Sequence, residues 1–202
     1  MIGSEQHFID SFGTTRASLL LDALQGAHTK ARSISTSNGF VEGRTEPTVA
    51  FDLSVNALYD FEQLAGVRHA LVNGQHLWVI DETYAIRVKQ LGSDYGTTNH
   101  SSAQQTKIDR HHALDGMEPL IFLSAGTRVS RQTGLPIDFA VVKHYKPRNS
   151  RKKVEWAIDL ADLASAGATP ATTVLPMPNL PTAPAAVVFR RRREDQTGTG
   201  PK

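Results

Sequence analysis

Apolar positions recur along this chain with two different periods, and the switch from one to the other marks the expected elements. From Thr15 to Ala31, Leu20, Leu24, Ala27 and Ala31 fall at helical spacing with Ala17, Leu21 and His28 beside them. Ser11, Thr14 and Thr15 stand before them as capping residues, so the pattern predicts an amphipathic helix, weakened by about 1 kcal/mol at Gly26 relative to Ala. The polar stretch 33–43 reads as a loop. After Pro47, Val49, Phe51 and Leu53 alternate with Ala50 and Asp52, the period of a half-buried strand. Ser54 is then placed to cap a short helix carrying Leu58, Phe61 and Leu64 or Ala65 on one face and ending at Gly66.

Asn73-Gly74 separates the runs 67–72 and 76–80, and a type I′ turn needs positive φ at both of its central positions, so a hairpin is expected there. A turn at 81–83 leads into 84–91, where Tyr84, Ile86 and Val88 point one way and Arg87 and Lys89 the other; the expectation is a three-strand meander with a basic outer strip. The stretch 92–105 is polar and without apolar period, a long loop of the kind that binds something or moves. Residues 120–129 read as a strand with Gly126 as a candidate bulge. Ile137 to Tyr145 and Val154 to Leu160 alternate cleanly and are expected to pair as an antiparallel hairpin. Beyond Asp162 the chain turns to Ala, Pro, Thr and Ser, which predicts a disordered tail.

These elements give the expected fold class: α+β, with a mainly antiparallel sheet of five to seven strands, one or two packed helices and a disordered C-terminal tail. The expected domain is 1–163, with 164–202 as the tail. At 202 residues, 40% apolar and 21% charged, the chain has room for one sizeable core and not two. No run approaches the roughly 20 apolar residues of a membrane span, and the N-terminus shows no basic segment followed by an apolar one, so neither a membrane nor a secretory route is expected. With no cysteine, disulfides, thiolate metal sites and Cys nucleophiles are excluded, and a cytoplasmic setting is expected.

Charge is concentrated. Of 22 Lys and Arg, six lie within 143–153 (Lys143, Lys146, Arg148, Arg151, Lys152 and Lys153) and four form the tail run Arg190, Arg191, Arg192 and Arg193. Setting those ten aside leaves 12 basic residues against 20 acidic, a balance of about −8 for the rest of the chain. A basic loop at the end of a stiff hairpin neutralises phosphates with a salt-dependent affinity. The same residues also keep an exposed loop soluble and block edge-to-edge pairing. Arg87 and Lys89, with Arg128 and Arg131, are expected to extend the basic surface. The tail run is a contact segment for phosphate or an acidic partner, or simply a solvated end.

Candidate enzymatic groups are fewer. His100, His111 and His112 lie in or beside the polar stretch with Lys107, Asp109, Arg110 and Asp115 near them, a set that offers a general base and a phosphate clamp. Neither HExxH nor the i, i+4 zinc spacing is present, and His28, His69, His76 and His144 read as isolated structural residues. No Lys has Asp or Glu two residues before it, which removes the restriction-type nuclease pattern, and GxSxG, P-loop and GxGxxG are absent. No metal or cofactor is expected.

Tyr84 to Leu91, Thr98-Asn99, Gln104-Gln105, Gly126-Thr127-Arg128 and Glu155 to Leu160, in this order, resemble small uncharacterised proteins carried on phages, plasmids and other mobile elements. The resemblance spans about 65–160 and implies context: a regulator, an accessory of replication or transfer, or one half of a defence or toxin–antitoxin pair. The favoured expectation is a non-enzymatic protein contacting DNA or RNA through the 143–153 hairpin. The alternatives are a protein-interaction partner, such as an antitoxin, immunity or inhibitor protein, and a small ribonuclease or nuclease toxin centred on His100, His111 and His112. The oligomeric state stays open.

Overall fold

The structure is a computed structural model that describes residues 2–39, 45–97, 108, 119–130, 135–145 and 152–166. By contacts the chain divides into Met1–Thr169 and Pro170–Lys202; the first unit is described below, and the expected tail from residue 167 onward lies outside the described residues.

Helix α1 runs Glu5–Ser37 and starts well before the expected Thr15. The Ser4 hydroxyl caps it by accepting from the His7 amide at 3.2 Å. Phe8 and Phe12, one turn apart, stack at 4.8 Å on the buried face. Gly13 then leaves helical geometry at φ 70°, kinking the helix before Ala17, Leu20, Leu24, Ala27 and Ala31 continue the buried stripe. That interruption hid the first turns from a reading by period.

The strand expected at 49–53 is instead the middle of helix α2, Thr45–Ala57. Its buried positions are Ala50, Ser54 and Val55, followed one turn on by Leu58, which is helical spacing; Phe51, part of the apparent alternation, is 40% exposed. Pro47 sits in the first turn, where its missing N–H costs nothing. Ser54 is not a cap: its hydroxyl donates back to the Ala50 carbonyl at 2.7 Å. A 3₁₀ turn, Leu58–Gln63, follows and buries Leu58 and Phe61.

Six strands form one sheet: β1 Val67–Val72, β2 Gln75–Ile80, β3 Tyr84–Val88, β4 Ile121–Val129, β5 Pro136–Tyr145 and β6 Lys153–Asp159. They lie in sequence order, and every pairing is antiparallel except the central β3–β4 pair. The α+β class with a mainly antiparallel sheet therefore holds. Asn73 and Gly74 take φ 49° and 75° and make the expected β1–β2 turn. The Asp159 carboxylate at the end of β6 accepts from the Ala161 amide at 2.7 Å and starts helix α3, Leu160–Ser165. Leu160 and Leu163 are buried in it, and it runs to Ser165.

One sheet face packs on the helices: Trp78, Ile80, Tyr84, Ile86, Val88, Leu123, Ala125, Val141, Trp156 and Ile158 join the buried stripe of α1, Val55 and the α3 leucines. The other face is also covered. Leu77, Val79, Ala85 and Phe122 pack with Ile108 and Leu120, and Ala140 and Val142 with Leu91. Burial on both faces is why all five residues of β3 are inside, Arg87 among them. Arg16 ties the layers together: it pairs with Asp81 at 2.7 Å and donates to the carbonyls of Ser11 and Ala65 at 2.9 and 2.6 Å.

Candidate functional site

The β5–β6 register sets Tyr145 opposite Lys153, so residues 146–152 connect an antiparallel pair at one edge of the sheet, as expected. Lys153 is exposed at that end, and Lys152 Nζ donates to Thr97 Oγ1 at 2.5 Å. Lys143 is tied into the fold: its ammonium meets Glu155 Oε1 at 2.9 Å and donates to the Gly3 carbonyl at 2.8 Å. The expected basic outer strip on β3 is corrected. Arg87 does face away from the helices, but a further layer covers that face, leaving it 2% exposed with Nε directed at Ser124 Oγ, 3.4 Å away. Lys89 lines a cleft described below. Arg128 is held by Asp138 in a two-pronged ion pair and lies 4.7 Å over the Tyr95 ring. Lys146, Arg148, Arg151, Arg131, Arg190 to Arg193, His100, His111 and His112 lie outside the described residues.

Two histidines read as isolated in the sequence meet in the fold. The Asn73-Gly74 turn places His69 directly opposite Trp78 and diagonal to His76 on the helix-facing side. His69 Nε2 lies 3.0 Å from His76 Nδ1, with the rings stacked at 5.1 Å. Glu62 approaches the other His69 nitrogen at 3.6 Å, and the Tyr59 hydroxyl stands 3.4 Å from His76 Nδ1. Burial and the neighbouring His76 hold His69 below its ordinary pKa, against a smaller opposing pull from Glu62. One imidazole donates its N–H to the ring nitrogen of the other, and the set forms a short chain from carboxylate through two imidazoles towards a phenol. Among the described residues no three His, Asp or Glu side chains gather as a metal-binding set. The register that joins the two histidines was readable from the two-residue turn; Tyr59 and Glu62 arrive from the 3₁₀ turn and were not.

A cleft of about 250 Å³ opens between α1, α2 and the carboxyl ends of the parallel strands β3 and β4. Leu24, Ala50, Phe51 and Val88 make its apolar walls, and His28, Ser54 and Thr127 contribute polar groups. Burial holds His28 below its ordinary pKa, partly offset by Glu46. Gly126 is what allows β3's extension to close on β4: a Cβ there would overlap the Lys89 carbonyl oxygen. Lys89 and Leu91 then donate to the carbonyls of Ala125 and Thr127 at 2.8 and 2.9 Å.

No family model, curated protein or solved structure matches this chain.

Proposed function

We propose that this protein is a non-enzymatic accessory or regulatory protein that contacts nucleic acid through the end of its β5–β6 hairpin. The observation that supports this reading is the hairpin register. It makes the sequence 146–152, with Lys146, Arg148, Arg151 and Lys152, the connection between two strands at a sheet edge, next to an exposed Lys153. By contrast Arg16, Arg68, Arg128 and Lys143 are each spent on a carboxylate within the fold. A cluster of cations on a stiff support binds phosphate oxygens irrespective of base identity. Arg87 has no part in such a contact, being inside the sheet.

The test is fluorescence anisotropy of the full chain with duplex DNA, single-stranded DNA and RNA over a series of salt concentrations. Arg151→Ala, Lys152→Ala and Lys153→Ala together should weaken binding alike across sequences and flatten its salt dependence. A second variant with Arg190 to Arg193 changed to Gln separates the tail from the hairpin. Absence of binding at low salt, or binding untouched by the triple change, defeats the proposal.

One observation favours a second reading, a protein-interaction partner of the antitoxin, immunity or inhibitor kind. Leu71 on β1 is 61% exposed, an apolar side chain on a strand that among the described residues pairs only with β2. A defined complex with a purified partner, lost on Leu71→Lys, would support it.

A further inference from the structure

The β1–β2 hairpin and the 3₁₀ turn bring two imidazoles and a phenol together. His69 on β1 and His76 on β2 present Nε2 and Nδ1 to each other at 3.0 Å, and the Tyr59 hydroxyl stands 3.4 Å from the same His76 nitrogen. Donors held about 2.0–2.1 Å from a tetrahedral metal ion lie about 3.3–3.4 Å from one another, so these spacings are within a few tenths of an ångström of a coordinated set. The rings are held by their neighbours: Trp78 packs at 5.4 Å from the His69 ring and 6.3 Å from that of His76, and Tyr59 meets His69 edge-on at 5.2 Å. Glu62 approaches the far nitrogen of His69, Nδ1, at 3.6 Å. That is the place a carboxylate takes behind a metal-bound imidazole, where it keeps the proton on Nδ1 and leaves the Nε2 lone pair directed at His76. Tyr59 is 41% exposed, so the set is open to solvent.

We infer that His69 Nε2, His76 Nδ1 and Tyr59 Oη form a binding site for a divalent transition-metal ion of the Zn²⁺ or Cu²⁺ class. The class follows from the donors: imidazole nitrogen suits zinc, copper and nickel, whereas Mg²⁺ and Ca²⁺ require an oxygen shell that this set lacks. Glu62 is not a ligand, since it meets the opposite side of the His69 ring; the third donor is a phenol, and no three His, Asp or Glu side chains converge among the described residues. Binding replaces the hydrogen bond between the rings. The proton that His76 Nδ1 donates to His69 Nε2 moves to His76 Nε2, each ring stays neutral, and the phenol gives its proton to solvent as it coordinates. The phenolate and the Glu62 carboxylate behind His69 then balance the ion's charge. An ion held this way joins the 3₁₀ turn to β1 and β2. The inference stands apart from the nucleic-acid reading, since it shares no residue with the hairpin end.

The experiment titrates the full chain, freed of metal by a chelator, with Cu²⁺ alone while tryptophan emission is followed, and then adds Zn²⁺. Cu²⁺ quenches an indole as close as Trp78, so emission should fall to a plateau at one equivalent with micromolar affinity or tighter. Electron paramagnetic resonance should show two coordinating nitrogens, and Zn²⁺ but not Mg²⁺ should restore the emission. His69→Gln or His76→Gln should abolish the plateau, with circular dichroism checking that each variant folds. Glu62→Gln, which keeps the shape and removes the charge, should weaken Cu²⁺ binding about 10–100-fold, the usual effect of losing a carboxylate behind a metal-bound histidine. Tyr59→Phe should weaken it as well; both positions are partly exposed, so the test does not depend on whether the histidine variants fold. Zn²⁺ should raise the melting temperature of the parent and not that of His76→Gln. A chain with His100, His111 and His112 changed to Gln should keep the plateau, which separates this site from other histidines. The inference is overturned by no plateau at one equivalent, by a plateau that survives either histidine change, or by displacement with Mg²⁺. It is equally overturned by loss of the plateau in the His100, His111 and His112 variant, which would mean an adventitious ion only, or by Tyr59→Phe or Glu62→Gln binding Cu²⁺ as tightly as the parent.

Discussion

Gly126→Ala and Gly26→Ala make the same chemical change and should move stability in opposite directions. At Gly126 an added Cβ would overlap the Lys89 carbonyl oxygen and stand 2.8 Å from the carbonyl carbon, inside the 3.0 Å that real Cβ atoms essentially never breach. Both atoms belong to backbone, so the clash cannot be relieved by rotating a side chain; the extension of β3 must move away from β4. Two hydrogen bonds flank the position, Lys89 to Ala125 and Leu91 to Thr127. Losing both within a covered sheet at about 1–3 kcal/mol each gives a destabilisation of about 2–6 kcal/mol. The lower conformational entropy of unfolded Ala relative to Gly returns only about 0.4–1 kcal/mol of this. Against a total of about 5–15 kcal/mol for a domain, that loss should be plain in urea unfolding followed by circular dichroism. At Gly26, exposed in α1 with nothing within 4 Å of an added Cβ, alanine should stabilise by about 0.5–1 kcal/mol through helix propensity. A Gly126→Ala protein within about 0.5 kcal/mol of the parent, where most harmless surface changes fall, would refute the close packing of β3's extension on β4.

Two further outcomes follow from charge placement. His28 and His69 are both held below the ordinary value of 6.5, by burial first in each case, so the unfolded chain takes up their protons before the folded one does. Stability should be retained above that value and fall as pH drops from 6.5 towards the lowered folded pKa values. The groups that face them are Glu46 at His28, and Glu62, His76 and Tyr59 at His69. Thermal melts across this range should show the decline, His69→Phe should reduce it, and a melting temperature that rises on acidification would contradict it. Asp138→Asn should cost about 1–3 kcal/mol, because it leaves a part-buried Arg128 guanidinium without its carboxylate; an unchanged urea midpoint would show that Tyr95 and solvent suffice.

Much of the sheet was legible because its signals are local. The Asn73-Gly74 turn sets the register of β1 on β2, and with it the meeting of His69 and His76, through the geometry of a two-residue loop alone. Alternation along β6 reflects its position at the sheet edge, where Trp156 and Ile158 are buried and the side chain between them is not, and together with the apolar run of β5 it let the hairpin carrying the cations be drawn. The errors fall where distant chain decides. Val49, Phe51 and Leu53 alternate as a strand would, yet α1 and the sheet bury Ala50, Ser54 and Val55, so packing selects the helical period over the extended one. Arg87 looks outward-facing by the same alternation, but residues far along the chain cover that side of β3. The cleft at Thr127 could not be read from sequence at all, since its walls come from α1, α2, β3 and β4. Sequence by itself determined the strands, the principal turn and the concentration of charge, because those depend on neighbours a few bonds away. Only the tertiary structure decided which faces are covered, which cations remain at the surface and what stands beside the paired histidines, because burial and contact depend on elements that meet only once the chain has folded.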